Sequence, residues 1–287
     1  MINGVISTTY SSVTAWFVPA TVVYWKRMGQ VMSEKAIDLN VDIGEGFEHD
    51  GELLQYATSV NVACGWHAGD PLTMRRVTTE AIRQGVAIGA HPSFPDRENF
   101  GRAAMNLPAD EVYAGVQYQV GALAAVVAGL SGRVTHVKPH GALYNQAEED
   151  ADLARAIVHA VRDMNPGLAI FGLAGGQLVR TARDEGLVAI EEGFADRAYT
   201  PHGKLVPRSQ PNAVLESDEL ACEQVISMAR DGRVRASDGS WVSISPQSLC
   251  LHGDGAHAVA FARQIRAVLA TAEIAVRSSS HPAHLAS

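Results

Sequence analysis

Cysteine is scarce and scattered in this chain. Its 287 residues hold three, Cys64, Cys222 and Cys250, with no CxxC pair among them. That argues against a disulfide framework or a zinc knuckle and makes a reducing cytoplasm the simpler setting. Positive charge is also short. Against 23 Lys+Arg stand 31 Asp+Glu, a formal charge of −8, whereas a general nucleic-acid binder needs a basic face. No apolar run reaches the roughly 20 residues of a membrane-spanning helix. No GxGxxG follows the first strand-like segment and no GxxxxGK[ST] occurs anywhere, which removes the commonest phosphate-loop readings. Disorder is excluded as well, because 47% of residues are hydrophobic and only 19% charged.

What is present fits one large domain or two ordinary ones, since α/β barrels run to about 250 residues as a unit. Residues 1–31 stand apart. Ser11–Trp25 is mildly apolar but contains Pro19, and Lys26 and Arg27 follow it. A secretory signal places its basic residues before the apolar core, not after it. The expectation is a poorly packed N-terminal extension from an upstream start codon, with Met32 as the alternative start. A catalytic domain over 32–276 and a frayed, flexible tail over 277–287 complete the expected organisation.

Between them, strand and helix patterns alternate. Ala36–Ile43, Ser59–Cys64, Val86–Ala90, Val134–Lys138, Leu168–Leu173, a run beginning at Leu187–Ile190, and Ser248–Leu251 read as seven strands. Helical spacing covers Pro71–Gln84, Pro108–Gly129, Glu148–Met164, Gln177–Glu185, Asp218–Arg230 and Ala256–Ala272, with Ser217 as a candidate cap. Arg233–Ser245 reads as an inserted hairpin turning at Asp238-Gly239. Seven βα units in a row predict a parallel sheet.

Polar residues crowd the C-terminal ends of these strands: Asp42 and Glu45, His67 and Asp70, His91, Lys138 and His140, His252 and Asp254. In parallel α/β folds the ligand site lies beyond those ends. Strand periodicity puts Asp38, Asn40 and Asp42 on one face, and likewise His136, Lys138 and His140, and Cys250, His252 and Asp254. Ile37, Leu39, Val41 and Ile43 supply the opposite, helix-packed face. An open sheet covered by helices on both sides leaves no place for the polar face, whereas a closed barrel with a polar mouth does. The predicted fold is a seven-stranded β/α (TIM-like) barrel.

Blander readings sit beside the functional ones. Asp38, the deepest carboxylate, reads equally well as a buried structural group bonded to strand-four residues. His136 reads as structural, and Cys64 and Cys250 as small core residues. Arg97 and Arg208, on two polar loops, are candidate clamps for a carboxylate or phosphate. Arg197 serves at least as well as a loop tie. Four histidines converging with carboxylates, His67, His91, His140 and His252, make a candidate site.

Several long stretches, Asp38–Glu45, Asn61–Asp70, Gly89–Asp96, Val137–Asn145, Phe194–Arg208 and Cys250–Asp254, together resemble the LamB/YcsF family over about residues 36–272. The resemblance implies a barrel similar to that of glycoside hydrolases and polysaccharide deacetylases. It also implies ATP-dependent opening of 5-oxo-L-proline to L-glutamate with release of ADP and phosphate. The implied role is the A component of a 5-oxoprolinase that works with subunits B and C, with ATP handled by a nonstandard site or at an interface between components.

Such a reaction needs a cation near developing phosphate charge, a base for water and a clamp for the substrate carboxylate. Lys138 is the expected cation and Asp42 or His252 the base, with Asp254 sharing the proton and His140 in the catalytic set. Asn40, Glu45, Arg97 and Arg208 are the expected substrate contacts. A second reading has Asp42, His67 and His91 bind a divalent ion, Mg or Zn, for hydrolysis without ATP. A third, a non-catalytic binding subunit, fits poorly with so many converging ionisable groups.

Overall fold

The first strand shows the principle of construction. In β1 (Ala36–Ile43) the apolar side chains Leu39, Val41 and Ile43 are fully buried on one face, and Asp38 and Asn40 are equally buried on the other. A strand buried on both faces but apolar on only one must border a polar interior. The structure, a computed structural model, describes Met1 and residues 35–215, 217–251 and 257–280. The expected extension over 1–31, apart from Met1, lies outside the described residues. So do His252, Asp254 and residues 281–287.

The chain runs β1, α1 (Asp50–Leu53), β2 (Ser59–Ala63), α2 (Pro71–Gln84), β3 (Ala87–His91), α3 (Ala109–Ala128), β4 (Val134–Val137) and α4 (Gly141–Ala147). It continues with α5 (Ala151–Met164), β5 (Ala169–Leu173), α6 (Gln177–Asp184), β6 (Ala189–Phe194) and α7 (Asp218–Ile226). The hairpin β7 (Arg233–Arg235) and β8 (Trp241–Ser243) follows, then β9 (Ser248–Leu251), α8 (Ala258–Thr271) and β10 (Ala275–Val276). Strands β1 to β6 pair in order, all parallel, and β9 pairs with both β6 and β1. That double pairing closes a seven-stranded barrel, as expected. The hairpin is antiparallel and separate, and β10 extends β1 outside the ring. Among the described residues no helix is long and apolar enough to cross a membrane.

Three local departures have clear causes. The expected helix Glu148–Met164 begins only at Ala151, because Asp150 caps it by accepting from the N–H groups of Asp152 (2.9 Å) and Leu153 (3.0 Å). Glu148 instead ends the preceding short helix. The sixth strand continues to Phe194, which places Glu192 inside the barrel. Ser278–Ser280, expected to be frayed, lie against the barrel base: Ser278 Oγ meets Ser59 Oγ at 2.9 Å and Ser280 Oγ meets His136 Nδ1 at 3.2 Å.

The interior holds polar groups that satisfy one another, as buried polar atoms must. Asp38 accepts from Thr58 Oγ1 (2.6 Å), Ser59 Oγ (2.7 Å) and Ser248 Oγ (2.5 Å). These partners come from β2, the residue before it and β9, not from strand four. Burial nevertheless pushes its carboxyl up to about 6. A carboxyl raised in the folded state contributes stability that is present below about pH 4 and lost as pH rises through about 6. We expect Asp38→Asn to abolish this dependence. In urea unfolding, variant stability relative to the native chain should climb by up to about 3 kcal/mol between pH 4 and pH 7. A constant difference would show that Asp38 ionises as easily folded as unfolded.

Candidate functional site

The mouth is organised around one buried ammonium. Lys138 follows β4, is 3% exposed, and its Nζ lies 2.7 Å from Glu192 Oε1, 3.1 Å from Asp42 Oδ1 and 3.2 Å from Cys250 Sγ. It also donates to Asn40 Oδ1 at 3.1 Å. Burial works against its charge, but Asp42, Cys250 and Glu192 outweigh it and hold the pKa well above the ordinary lysine value. Asp42 answers in kind: despite burial, His91 and Lys138 keep its carboxyl well below the usual range. Glu45, nearby, moves the other way, raised by burial and by Asp42 to about 7. Two neighbouring carboxyls with proton affinities driven apart are a mark of acid–base chemistry.

Beside them three imidazoles converge. His67 and His140 stack with ring centroids 3.8 Å apart, and His91 meets His140 edge-on at 4.8 Å. Gly101 makes the stack possible. Its φ is +65°, and a Cβ there would lie 2.8 Å from His67 Cβ and 3.0 Å from His140 Cδ2. Backbone carbonyls fix two tautomers. His91 Nδ1 donates to Lys138 O (2.7 Å) and His140 Nε2 donates to Phe100 O (2.8 Å). The remaining nitrogens, His91 Nε2 and His140 Nδ1, face each other at 3.0 Å. Two lone pairs at that distance need a proton or a metal ion between them. His91 carries the proton more readily: despite burial, Asp42 and Glu45 raise its pKa, whereas burial and His91 lower His140 to about 3. His67 Nε2 meets Glu45 Oε1 at 3.1 Å, and its Nδ1 is buried without a hydrogen-bond partner among the described residues. Burial pushes its pKa far down, so the ring is neutral.

Above this floor opens a cavity of about 510 Å³. Asp42, Glu45, His91, Lys138 and His140 line its base; Tyr144, Phe194, Leu205 and Pro207 give apolar wall, and Arg102, Lys204 and Arg208 add positive charge.

The LamB/YcsF family model matches residues 37–284. The chain belongs to the LamB/YcsF family. A lactam utilization protein from Thermus thermophilus is 41% identical to it, with a TM-score of 0.80 over 84% of this chain and 99% of that one. A putative cellobiose-phosphate cleavage protein from Enterococcus faecalis is 12% identical, with a TM-score of 0.52 over 86% of this chain and 98% of that one, and shares the fold alone. A family 4 carbohydrate esterase from Streptomyces lividans lies further off, at 12% identity and a TM-score of 0.43 over 84% of this chain and 91% of that one.

In this LamB/YcsF chain the structure brings Asn40, Asp42, Glu45, His67, His91, Lys138 and His140 together, and Arg208 onto the cavity wall. Asn40 lies below the cavity, fully buried in the network under Lys138, rather than at a substrate-facing position. Arg97 is elsewhere: its guanidinium donates to the carbonyls of Gly65 (2.8 Å) and Gly69 (3.0 Å), tying down the loop that carries His67. Asp70 caps α2 by accepting from Leu72 N (2.8 Å) and Thr73 N (2.9 Å). Arg197 is a loop tie, donating to Ala213 O (3.1 Å) and Val206 O (2.7 Å). Sequence reasoning missed Glu192, whose signal was its place in register with Ile190 and Phe194 on one strand face. Tyr144, inside the Val137–Asn145 stretch, and Arg102, at the end of the loop that carries Arg97, line the cavity but were not singled out, because neither lies on a strand whose period would set its direction.

The metal set expected from sequence, Asp42, His67 and His91, is revised. Among the described residues, the side chains whose ligand atoms lie within 4.8 Å of one another are Glu45, His67, His91 and His140. Asp42 is outside this set, its Oδ1 already bonded to Asn61 and Lys138. The donors fit an ion on two counts. The facing lone pairs of His91 and His140 call for a proton or an ion between them, and Glu45 Oε1 brings a carboxylate to the same nitrogens, 3.3 Å from His140 Nδ1 and 3.8 Å from His91 Nε2. Three imidazoles with one carboxylate suit zinc-like ions better than magnesium, which prefers all-oxygen shells. The ion must displace the protons on His91 and Glu45, so its affinity should rise as pH increases through about 7. Calorimetric titration with Zn²⁺ at pH 6 and pH 8 tests this. We expect tighter binding at pH 8 and at least about tenfold weaker binding by Glu45→Gln or His140→Ala. Equal affinity at both pH values would count against the set.

Proposed function

We propose that this chain is the lactam-opening component of an ATP-dependent 5-oxoprolinase, converting 5-oxo-L-proline to L-glutamate together with partner subunits B and C. The observation that carries the reading is the buried Lys138 ammonium, held between Asp42 and Glu192 at the base of the cavity. The 41% identity to a lactam utilization protein supports the choice of a cyclic amide as substrate, and three buried free thiols suit a cytoplasmic enzyme.

A lactam is a stable amide, so its carbonyl must be activated. Transfer of the terminal phosphoryl group of ATP to the lactam oxygen makes the carbon electrophilic. Water then adds to that carbon, the C–N bond breaks as nitrogen takes a proton, and the resulting acyl phosphate is hydrolysed by a second water. Lys138 stabilises the negative charge that develops on the oxygen side, where a preorganised charge is worth most. Asp42, ionised at neutral pH, takes the proton from water and returns it to the leaving nitrogen. His140 fixes the geometry of His91, and Arg208 on the cavity wall holds the substrate carboxylate. His252 and Asp254 complete the proposed proton-handling set. An ion held by Glu45, His67, His91 and His140 would supply Lewis-acid polarisation.

That cluster also favours a second reading, metal-assisted hydrolysis of a small amide or carbohydrate without ATP. One assay separates the two: glutamate and phosphate release from 5-oxoproline plus ATP, with this chain alone and with candidate partners. Coupled release only in the mixture supports the multi-component reading. ATP-independent hydrolysis by the metal-loaded chain alone supports the second. We expect Lys138→Met to lower coupled turnover at least about a hundredfold. Full turnover in that variant would remove Lys138 from the mechanism.

A further inference from the structure

Below the catalytic groups runs a one-way chain of hydrogen bonds. It starts at His136, fully buried on β4 two residues before Lys138. His136 Nε2 lies 2.9 Å from Asn61 Oδ1. Asn61 Nδ2 then donates to Asp42 Oδ1 and to Asn40 Oδ1, both at 2.8 Å. Asn40 Nδ2 donates to Glu192 Oε1 (2.9 Å) and Ser248 Oγ (2.7 Å), and Ser248 donates to Asp38 Oδ2. Every branch ends on a carboxyl group: Asp42, Glu192 or Asp38.

An amide has a donor end and an acceptor end, so each link sets the direction of the next. Only the first link is free to choose, because an imidazole can carry its proton on either nitrogen. His136 Nδ1 has hydroxyls on it, Thr135 Oγ1 at 2.9 Å and Ser280 Oγ at 3.2 Å, and a hydroxyl can donate. Asn61 Oδ1 can only accept. The proton therefore belongs on Nε2. Were it on Nδ1, Asn61 would have to reverse, and its oxygen would face Asp42 Oδ1 and Asn40 Oδ1, acceptor against acceptor.

The ring's seat is built for it. A Cβ on residue 89 would lie 2.1 Å from His136 Nε2, so the imidazole rests over the backbone of Gly89 on the next strand. Phe171 closes the other side with a ring centroid 4.3 Å away. Burial lowers the ring's pKa to about 3, so it stays neutral and keeps one defined donor at working pH.

The geometry points to His136 as a positioning residue: through Asn61 its Nε2–H holds the Asp42 carboxylate oriented beneath the cavity, without touching substrate. Two measurements test this. Neutron diffraction from crystals of the full chain should place hydrogen on His136 Nε2, none on Nδ1, and the Asn61 NH₂ toward Asp42. Hydrogen on Nδ1, or a reversed Asn61, overturns the proposal whatever the enzyme's activity.

The second measurement rests on the lactam-opening reading and uses the complex active in the coupled assay. In His136→Phe, Asn61 Oδ1 loses the donor that anchors the amide, so kcat should fall about tenfold with KM within about twofold. His136→Gln, whose amide can place a donor near the Nε2 position, should bring kcat back to within about threefold of the native value. A fall in kcat matched by a rise in KM, or no rescue by glutamine, marks a merely structural ring and overturns the proposal. An inactive native complex would sink the lactam reading and leave the neutron result to decide this one.

Discussion

One buried charge organises the barrel. An ammonium at 3% exposure is tolerable only if carboxylates and polar atoms replace the water it has lost. Lys138 finds Asp42 from β1, Glu192 from β6, Cys250 from β9 and Asn40 below. Its partners come from strands on several sides of the ring. The charge is thus a constraint on the whole cross-section: strand register, the inward direction of each side chain and the ionisation of Asp42 all follow from satisfying it. Removing either carboxylate would leave charge stranded in the interior. The energetic weight of the site and of the fold therefore rest on the same few atoms.

Above that plane the design changes. The imidazoles of His67, His91 and His140 sit at strand ends and on loops, joined to the interior network through His91, whose Nε2 lies 3.4 Å from Asp42 Oδ2, and need other means of precision. Arg97 clamps the carbonyls on either side of His67, Gly101 lets the backbone approach the stacked rings, and carbonyls of Lys138 and Phe100 fix two tautomers. An aromatic stack with one shared gap between nitrogens is rigid enough to present a set of donors, yet open toward the cavity.

Much of this was legible in the sequence. The alternation of Asp38, Asn40 and Asp42 with Leu39, Val41 and Ile43 called for a closed barrel with a polar interior, and that is the fold found. Lys138 and His140 were legible for the same reason, since period two fixes direction, and His67 and His91 were legible from their place at strand ends. Side chains on loops carry no period. Arg97 read as a ligand clamp and is a backbone tie; Asp70 read as part of the mouth and is a helix cap. Glu192 was missed because only the start of its strand, Leu187–Ile190, was read and the strand's end at Phe194 was assigned to the following loop. Partners on strands far apart in sequence, such as Asp38 with Ser248, follow from closure and register, which one strand's pattern does not contain.

The ring closes where β9 meets β1, joining residues 210 positions apart in sequence. Contacts of that range form late, after the entropy of a very long loop has been lost. Until then the strands present to water an inner face on which Asp, Asn, Ser, His and Lys interrupt apolar residues such as Phe171 and Ile190. An unclosed sheet of ordinary composition would be sticky; this one is solvated on the side that waits. The polar interior that serves chemistry in the finished molecule thus leaves less bare apolar surface before closure, and it makes the last pairing a switch from hydrated charges to a mutually bonded set.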